Sequence, residues 1–197
     1  MTGVQTCALP IYVKFRLEKD GILLNAVMFH AGYEAFGYNP GEKIDILFNA
    51  DINEYNGSRT VQLILRDTRY SEAFSSTLEA EETRYGEILA GASFKPSEDV
   101  LPARNDFAAV YRVLRAATCD SVREMSKKQL LSMVRSVPSV KMNHVKLRII
   151  LDVLDEMNLC KVSHHEFDLI EFDVNLSAAK VDLESSPLLV RLRKQCG

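Results

Sequence analysis

Few residues in this 197-residue chain are spaced for catalysis. Ser163-His164-His165-Glu166 sets two imidazoles beside a carboxylate, groups that ligate divalent metals. The run falls where a β-hairpin turn is expected, and a surface turn carrying two histidines is the simpler reading, so no metal site and no catalytic residue is assigned. Phosphate-cradling glycine loops, paired zinc-binding histidines and nucleophile elbows are absent. What the sequence does offer is groups that grip a polyanion. Lys14, Arg16, Phe29, Tyr55, Arg59, Gln62 and Arg66 lie in the first third, and Lys127, Lys128, Lys146 and Arg148 follow later. Cations track a phosphate backbone, and aromatic rings stack on bases. Phe29 has a competing reading as a core ring, Tyr55 as a merely exposed one, and the cations as an ordinary solvated face. His30 is a weaker stacking candidate.

The elements that must position these groups are strands in the first part of the chain. In Arg59–Asp67, Val61, Leu63 and Leu65 point one way while Gln62, Ile64 and Arg66 point the other, the alternation of a half-buried strand. Arg59, Gln62 and Arg66 are expected on its exposed face. Lys43–Asp51 reads as its hairpin partner, joined through a Gly-containing loop of several residues around Asn53–Ser58. Val13, Phe15 and Leu17 alternate with Lys14, Arg16 and Glu18 in an earlier strand. Asp20-Gly21 signals a turn, and Ile22–His30 a further strand. Residues 31–38 read as a short helical turn.

From Ser71 to about Ala92 the chain is acidic and helix-prone, and it reads as a connecting helix. A linker with Pro96 and Pro102 follows. Asn105 or Asp106 is placed to cap a helix with Phe107, Val110, Tyr111 and Leu114 on one stripe. Ser126 caps the next helix, Lys127–Val137. Asn143–Asn158 is the strongest helical pattern, with Val145, Leu147, Ile150, Leu151 and Leu154 inward. Two β runs, Cys160–His164 and Phe167–Val174, precede a C-terminal helix entered at Ser186-Pro187. Three helices and then a hairpin is winged-helix order. In that fold His144, Lys146 and Arg148 would face a phosphate backbone.

The pattern Asp45-Ile46, Asn53-Glu54-Tyr55-Asn56-Gly57, Val61-Gln62-Leu63 and Asp67 resembles the oligonucleotide-binding (OB) domain of the RecJ family of single-strand-specific DNA exonucleases. Tyr55 stands where the family often has Trp. The runs Arg104–Arg112 and Lys180–Ser186 resemble the additional C-terminal domain of RecJ proteins from Firmicutes. The resemblance implies an α+β chain of two domains. An N-terminal OB-fold β-barrel, counted here with four strands and so missing its first, precedes a helical, winged-helix-like domain with a β hairpin. The boundaries read as 12–70 for the barrel, 71–103 for the connecting helix and linker, and 104–197 for the second domain. Met1–Ile11 resembles a translated sequencing adapter and is expected to be non-native.

The resemblance further implies a single-stranded-DNA-binding, non-catalytic C-terminal part of a 5′-to-3′ exonuclease of recombination and repair. The family's Asp and His clusters, which bind Mn or Mg ions, have no counterpart in this sequence, so no cofactor is expected in it. Single-stranded DNA is the expected partner. The other reading is an interaction module docking a single-strand-binding protein or a helicase.

Composition is compatible with both. The net charge of −3 excludes a histone-like polycation, yet it hides an asymmetry. Residues 1–100 hold nine Lys/Arg against fifteen Asp/Glu, whereas 123–148 hold seven basic residues against the single acid Glu124. The opposed charges also allow the acidic and basic stretches simply to attract each other. Cys7, Cys119, Cys160 and Cys196 form no CxxC pair and read as free thiols of a reducing bacterial cytoplasm. No apolar run reaches the roughly 18 residues that a membrane helix needs.

Overall fold

Strict alternation with two Asx-Gly turns makes the first part of the chain a sheet. The strands are β1 (Tyr12–Lys19), β2 (Ile22–Phe29), β3 (Ile44–Tyr55) and β4 (Ser58–Tyr70). The computed structural model describes residues 12–29, 38, 41–138, 140–165, 168–178 and 180–197, and it divides the chain into two units between Glu72 and Ala73. Residues 1–11, His30 and most of the helical turn read over 31–38 lie outside the described residues.

The sheet order is β1-β2-β4-β3, with β2–β4 parallel and the other pairs antiparallel. This is the arrangement of strands two, three, five and four of the five-stranded OB barrel. Among the described residues β1 and β3 are the two edges, between which the remaining strand of such a barrel would lie. Ala26, Leu63 and Leu65 form the inward core, with Phe15, Leu17, Leu24, Met28 and Ile46 packed around it. Phe48, Ile52 and Val61 share that inward face through their pairing, yet stay 44%, 55% and 53% exposed.

The β3–β4 connection is tighter than the sequence predicts. Both strands run on until Tyr55 pairs with Ser58, and the chain reverses on Asn56 and Gly57 alone, at φ 52° and 75°. Two successive positive φ angles define a type I′ turn, which Asn-Gly adopts at low cost. Asp20 and Gly21 turn β1 into β2 in the same way. Further along the hairpin Leu47 pairs with Asp67 but Phe48 with Leu65, so Arg66 is the extra residue of a β-bulge.

The second unit holds α1 (Glu72–Leu89, entering from the unit boundary), α2 (Arg104–Cys119), β5 (Glu124–Ser126), α3 (Lys127–Arg135), α4 (His144–Glu156), β6 (Cys160–His164), β7 (Leu169–Val174) and α5 (Pro187–Gln195). The antiparallel sheet has the order β5-β7-β6. From α2 onward the unit runs helix, strand, helix, helix and hairpin, with the first strand beside the last. Strand β5 was not legible, because three residues are too few to show alternation. Side-chain caps fix α3, α4 and α5: Ser126 Oγ accepts from Gln129 N at 3.0 Å, Asn143 Oδ1 from Lys146 N at 2.8 Å and Ser186 Oγ from Leu189 N at 3.3 Å. Helix α2 starts one residue before the expected caps, at Arg104. Asp106 sits inside it, accepting from Ala103 N at 2.8 Å.

Helix α1 is more than a connector. Its Leu78, Tyr85 and Ile88 are buried in the same core as Leu114, Leu130, Leu147, Ile150 and Phe172. Apolar residues at helical spacing specify burial, and this helix buries its stripe in the second unit.

Candidate nucleic-acid interface

Cross-strand register decides which side chains share the outward face of the first sheet. Tyr12 pairs with Phe29, Lys14 with Val27 and Arg16 with Asn25, while Val27 and Asn25 pair in turn with Ile64 and Gln62. Paired residues point the same way, so Lys14, Arg16, Phe29 and Gln62 lie on one surface opposite the core. Lys14 and Arg16 are two residues apart, about 7 Å along the strand.

Phe29, with its competing core reading, is on this outer face at 45% exposure. Its ring meets that of Tyr12 edge-on, centroids 6.2 Å apart, and Lys14 Nζ lies 5.3 Å from the Tyr12 centroid. Two exposed rings beside a cation form a platform on which a base can stack. Tyr12 was missed from sequence; the signal would have been its register opposite Phe29. A shallow groove lined by Lys14, Asn25, Asn53, Thr60 and Gln62 crosses the same face.

Arg66, displaced by the bulge, remains exposed. With the Asn49 amide oxygen turned toward it, the guanidinium donates from Nε at 3.3 Å and Nη2 at 3.1 Å. Arg59 departs from expectation. It has the parity of Val61 and Leu63, not that of Gln62, and its Nε lies 3.9 Å from Glu54 near the hairpin tip. Tyr55 ends β3, and its side chain lies outside what is described. Asp51, paired with Gln62, and Glu54 make the β3 edge acidic, so the basic track follows β1.

Residues 11–67 match the family model of the RecJ OB domain. The segment is a RecJ-related OB domain. The match covers less than a third of the chain, and neither a curated protein nor a solved structure matches it. In OB folds the face of strands two and three binds oligonucleotides. In this RecJ-related domain those strands are β1 and β2, which carry Tyr12, Lys14, Arg16 and Phe29.

The basic residues read from the second unit are placed differently. His144, Lys146 and Arg148 were expected to face outward from α4, but they are 2%, 5% and 8% exposed. Acids from neighbouring segments reach them. Lys146 Nζ lies 2.6 Å from Asp99 and 3.7 Å from Asp106. Glu82 of α1 takes a hydrogen bond from His144 Nε2 at 2.5 Å and faces Arg148 Nε at 3.6 Å and Lys127 Nζ at 3.8 Å. Glu81 accepts from His144 N at 2.7 Å, at the first turn of α4. Arg148 also lies over the Tyr85 ring, 4.6 Å from its centroid, and donates to His164 Nδ1 at 2.8 Å. Lys127 is 11% exposed in its side chain and has Asp168 as a second partner at 4.0 Å. Burial without paired acids would leave these basic groups uncompensated; Glu81 and Glu82 of α1 supply acids to His144, Arg148 and Lys127, and Asp99 and Asp106 supply them to Lys146. Lys128 alone of the four is half-exposed with no acid paired to its ammonium among the described residues, although its backbone N donates to Asp168 at 3.1 Å.

The hydrogen bond from His144, with Arg148 and Lys127 close by, holds the Glu82 carboxyl down at about 2. Burial and the Asp152 carboxylate that accepts its hydrogen bond push the Tyr85 hydroxyl well up. Burial likewise raises the Cys160 thiol to about 12, which makes it a poor nucleophile.

The two histidines of the turn are engaged separately. His164 faces Arg148 and, at 3.7 Å, Asp152, while His165 Nε2 lies 3.4 Å from Glu171. Glu166 lies outside the described residues. Among the described residues no group of three or more His, Cys, Asp or Glu could hold a metal ion. No helix of the described residues is long and apolar enough to cross a membrane.

Proposed function

We propose that the first unit holds single-stranded DNA as the strand-gripping, non-catalytic part of a RecJ-type 5′-to-3′ exonuclease of recombination and repair in the bacterial cytoplasm. One observation carries the reading: Lys14, Arg16 and the Tyr12–Phe29 pair share the face that OB folds use for oligonucleotides, within a segment matched to the RecJ OB domain. Cations of this kind fix the backbone while the rings accept bases without regard to sequence. Metal-dependent cutting, with Mn or Mg, belongs in this reading to the family's DHH domains.

The test is fluorescence anisotropy of a labelled oligo-dT with the full chain, across 50–200 mM NaCl. Each phosphate contact to a single strand contributes about −0.7 to the slope of log K against log salt. Lys14→Glu with Arg16→Glu should weaken binding at low salt by tenfold or more and flatten that slope by roughly 1.4. Absence of binding at 50 mM salt, or binding that the double reversal leaves unchanged, refutes the assignment.

A further inference from the structure

With the α4 cations consumed internally, α2 carries an open basic surface of the second unit. Arg104, Arg112 and Arg115 are all exposed. At 3.6 residues per turn they fall within an arc of about 80°, and at 1.5 Å per residue they span about 16 Å. None pairs with an acid among the described residues; Arg112 Nε donates only to the Ala108 carbonyl one turn back, at 3.0 Å. The one acid in α2, Asp106, is buried and faces Lys146.

A groove opens at the Arg104 end of this stripe. Phe107 and Pro102 line it from one side and Val181 and Leu183 from the other, with Arg104 and Lys180 beside them. Apart from Pro102, its walls come from the runs 104–112 and 180–186, which the sequence singles out and which lie some seventy residues apart. Two acids also line it, but both are engaged: Asp182 accepts from Glu184 N at 3.1 Å, and Glu184 pairs with Arg193. Asp182 keeps its charge, so with Glu184 paired to Arg193 the lining residues Arg104 and Lys180 leave one net positive charge at the groove.

We infer that this groove and the arginine stripe of α2 form a second contact for single-stranded nucleic acid, taking phosphates of the backbone. The inference rests on the nucleic-acid reading of the first unit. Three arginines spread along a helix suit a repeating anion better than a single one, and guanidinium groups bind phosphate in bidentate fashion. The apolar groove wall gives a base or sugar a dry surface beside Arg104.

The experiment compares the full chain with a triple variant, Arg104→Glu, Arg112→Glu and Arg115→Glu, and with the corresponding triple Gln variant, using oligo-dT of 40 nucleotides. Helical circular dichroism checks that both variants stay folded. Three lost contacts should flatten the salt slope by about 2, the Gln variant following the Glu variant in direction. Adding Lys14→Glu and Arg16→Glu should weaken binding further than either set alone. If the triple variants keep the parent slope while Lys14→Glu/Arg16→Glu lowers it, this inference fails and the first-unit reading stands. If the parent chain does not bind oligo-dT, both fail. If the triple variants keep the parent's oligo-dT affinity and salt slope but lose binding of poly-glutamate of equal charge, the surface belongs to an acidic protein partner and the inference is overturned.

Discussion

Glu82→Gln is the substitution with the most to say about how the second unit holds together. Glu82 is 40% exposed in its side chain, whereas the His144, Arg148 and Lys127 side chains that face it are 3%, 10% and 11% exposed. Its carboxyl is lowered from 4.5 to about 2. A tenfold gain in acidity corresponds to about 1.4 kcal/mol, which sets a ceiling near ~3 kcal/mol for the native preference for the charged form. Solvent screening at a group this exposed cuts that to about 1–2 kcal/mol. The glutamine keeps the volume but leaves Arg148, Lys127 and the His144 ring N–H without their shared carboxylate, although Lys127 retains Asp168 and Arg148 retains His164. A loss of about 2 kcal/mol is expected, a displacement of roughly 1 M in a urea midpoint for an ordinary slope.

The pH dependence separates charge from packing. A carboxyl whose folded value lies below its unfolded one stabilises fully above about 4.5, and that contribution disappears as the pH falls toward 2. The stability gap between parent and Glu82→Gln should therefore be constant above about pH 5 and close between 4.5 and 2. The chain has no tryptophan, but the described helices belong to the second unit, so circular dichroism at the helical minimum follows this unfolding. A gap below about 0.5 kcal/mol at pH 7, or one that persists unchanged at pH 2.5, would refute the shared-anion account.

Two further outcomes follow from the first unit. Phe29→Ala should weaken oligo-dT binding by about 1–3 kcal/mol per base stacked, while leaving the urea midpoint nearly in place because the ring is 45% exposed; a midpoint that falls with unchanged binding would make it a structural ring. Gly57→Ala should cost roughly 1 kcal/mol, from the positive φ of 75° alone, since an added Cβ meets nothing within 4 Å; an unchanged denaturation midpoint would dispose of the type I′ turn.

The sheet was legible because its information is local. Alternation in Val61–Leu65 sets the inward face, and Asn56-Gly57 sets the turn, although a polar stretch around it conceals how far the strands continue. Bulges are less visible. Arg66 enters the register as an extra residue only because Leu47 and Phe48 pair with Asp67 and Leu65, a choice made across strands. The α4 cations were the hardest to place. Charged residues on an amphipathic helix default to solvent, and nothing near Lys146 or Arg148 in sequence announces their acids. Glu82 lies 66 residues from Arg148 and Asp99 lies 47 from Lys146, so only tertiary packing could reveal the pairing. The clue, in retrospect, is that α1 carries Glu81 and Glu82 beside the apolar stripe of Leu78, Tyr85 and Ile88, acids that travel inward with the helix.

That ownership of α1 dictates where the chain can be divided. A cut in the proline-bearing stretch around 96–102, the natural choice from composition, would strip the second unit of Tyr85 and Ile88 and abandon His144 and Arg148 without their anion. Such a piece would display on α4 a cationic face that the intact unit neutralises, and oligonucleotides captured there would be mistaken for binding at α2. Separation ahead of Ala73 keeps the helix with its partners, and only pieces made that way can report honestly on which half touches a nucleic acid.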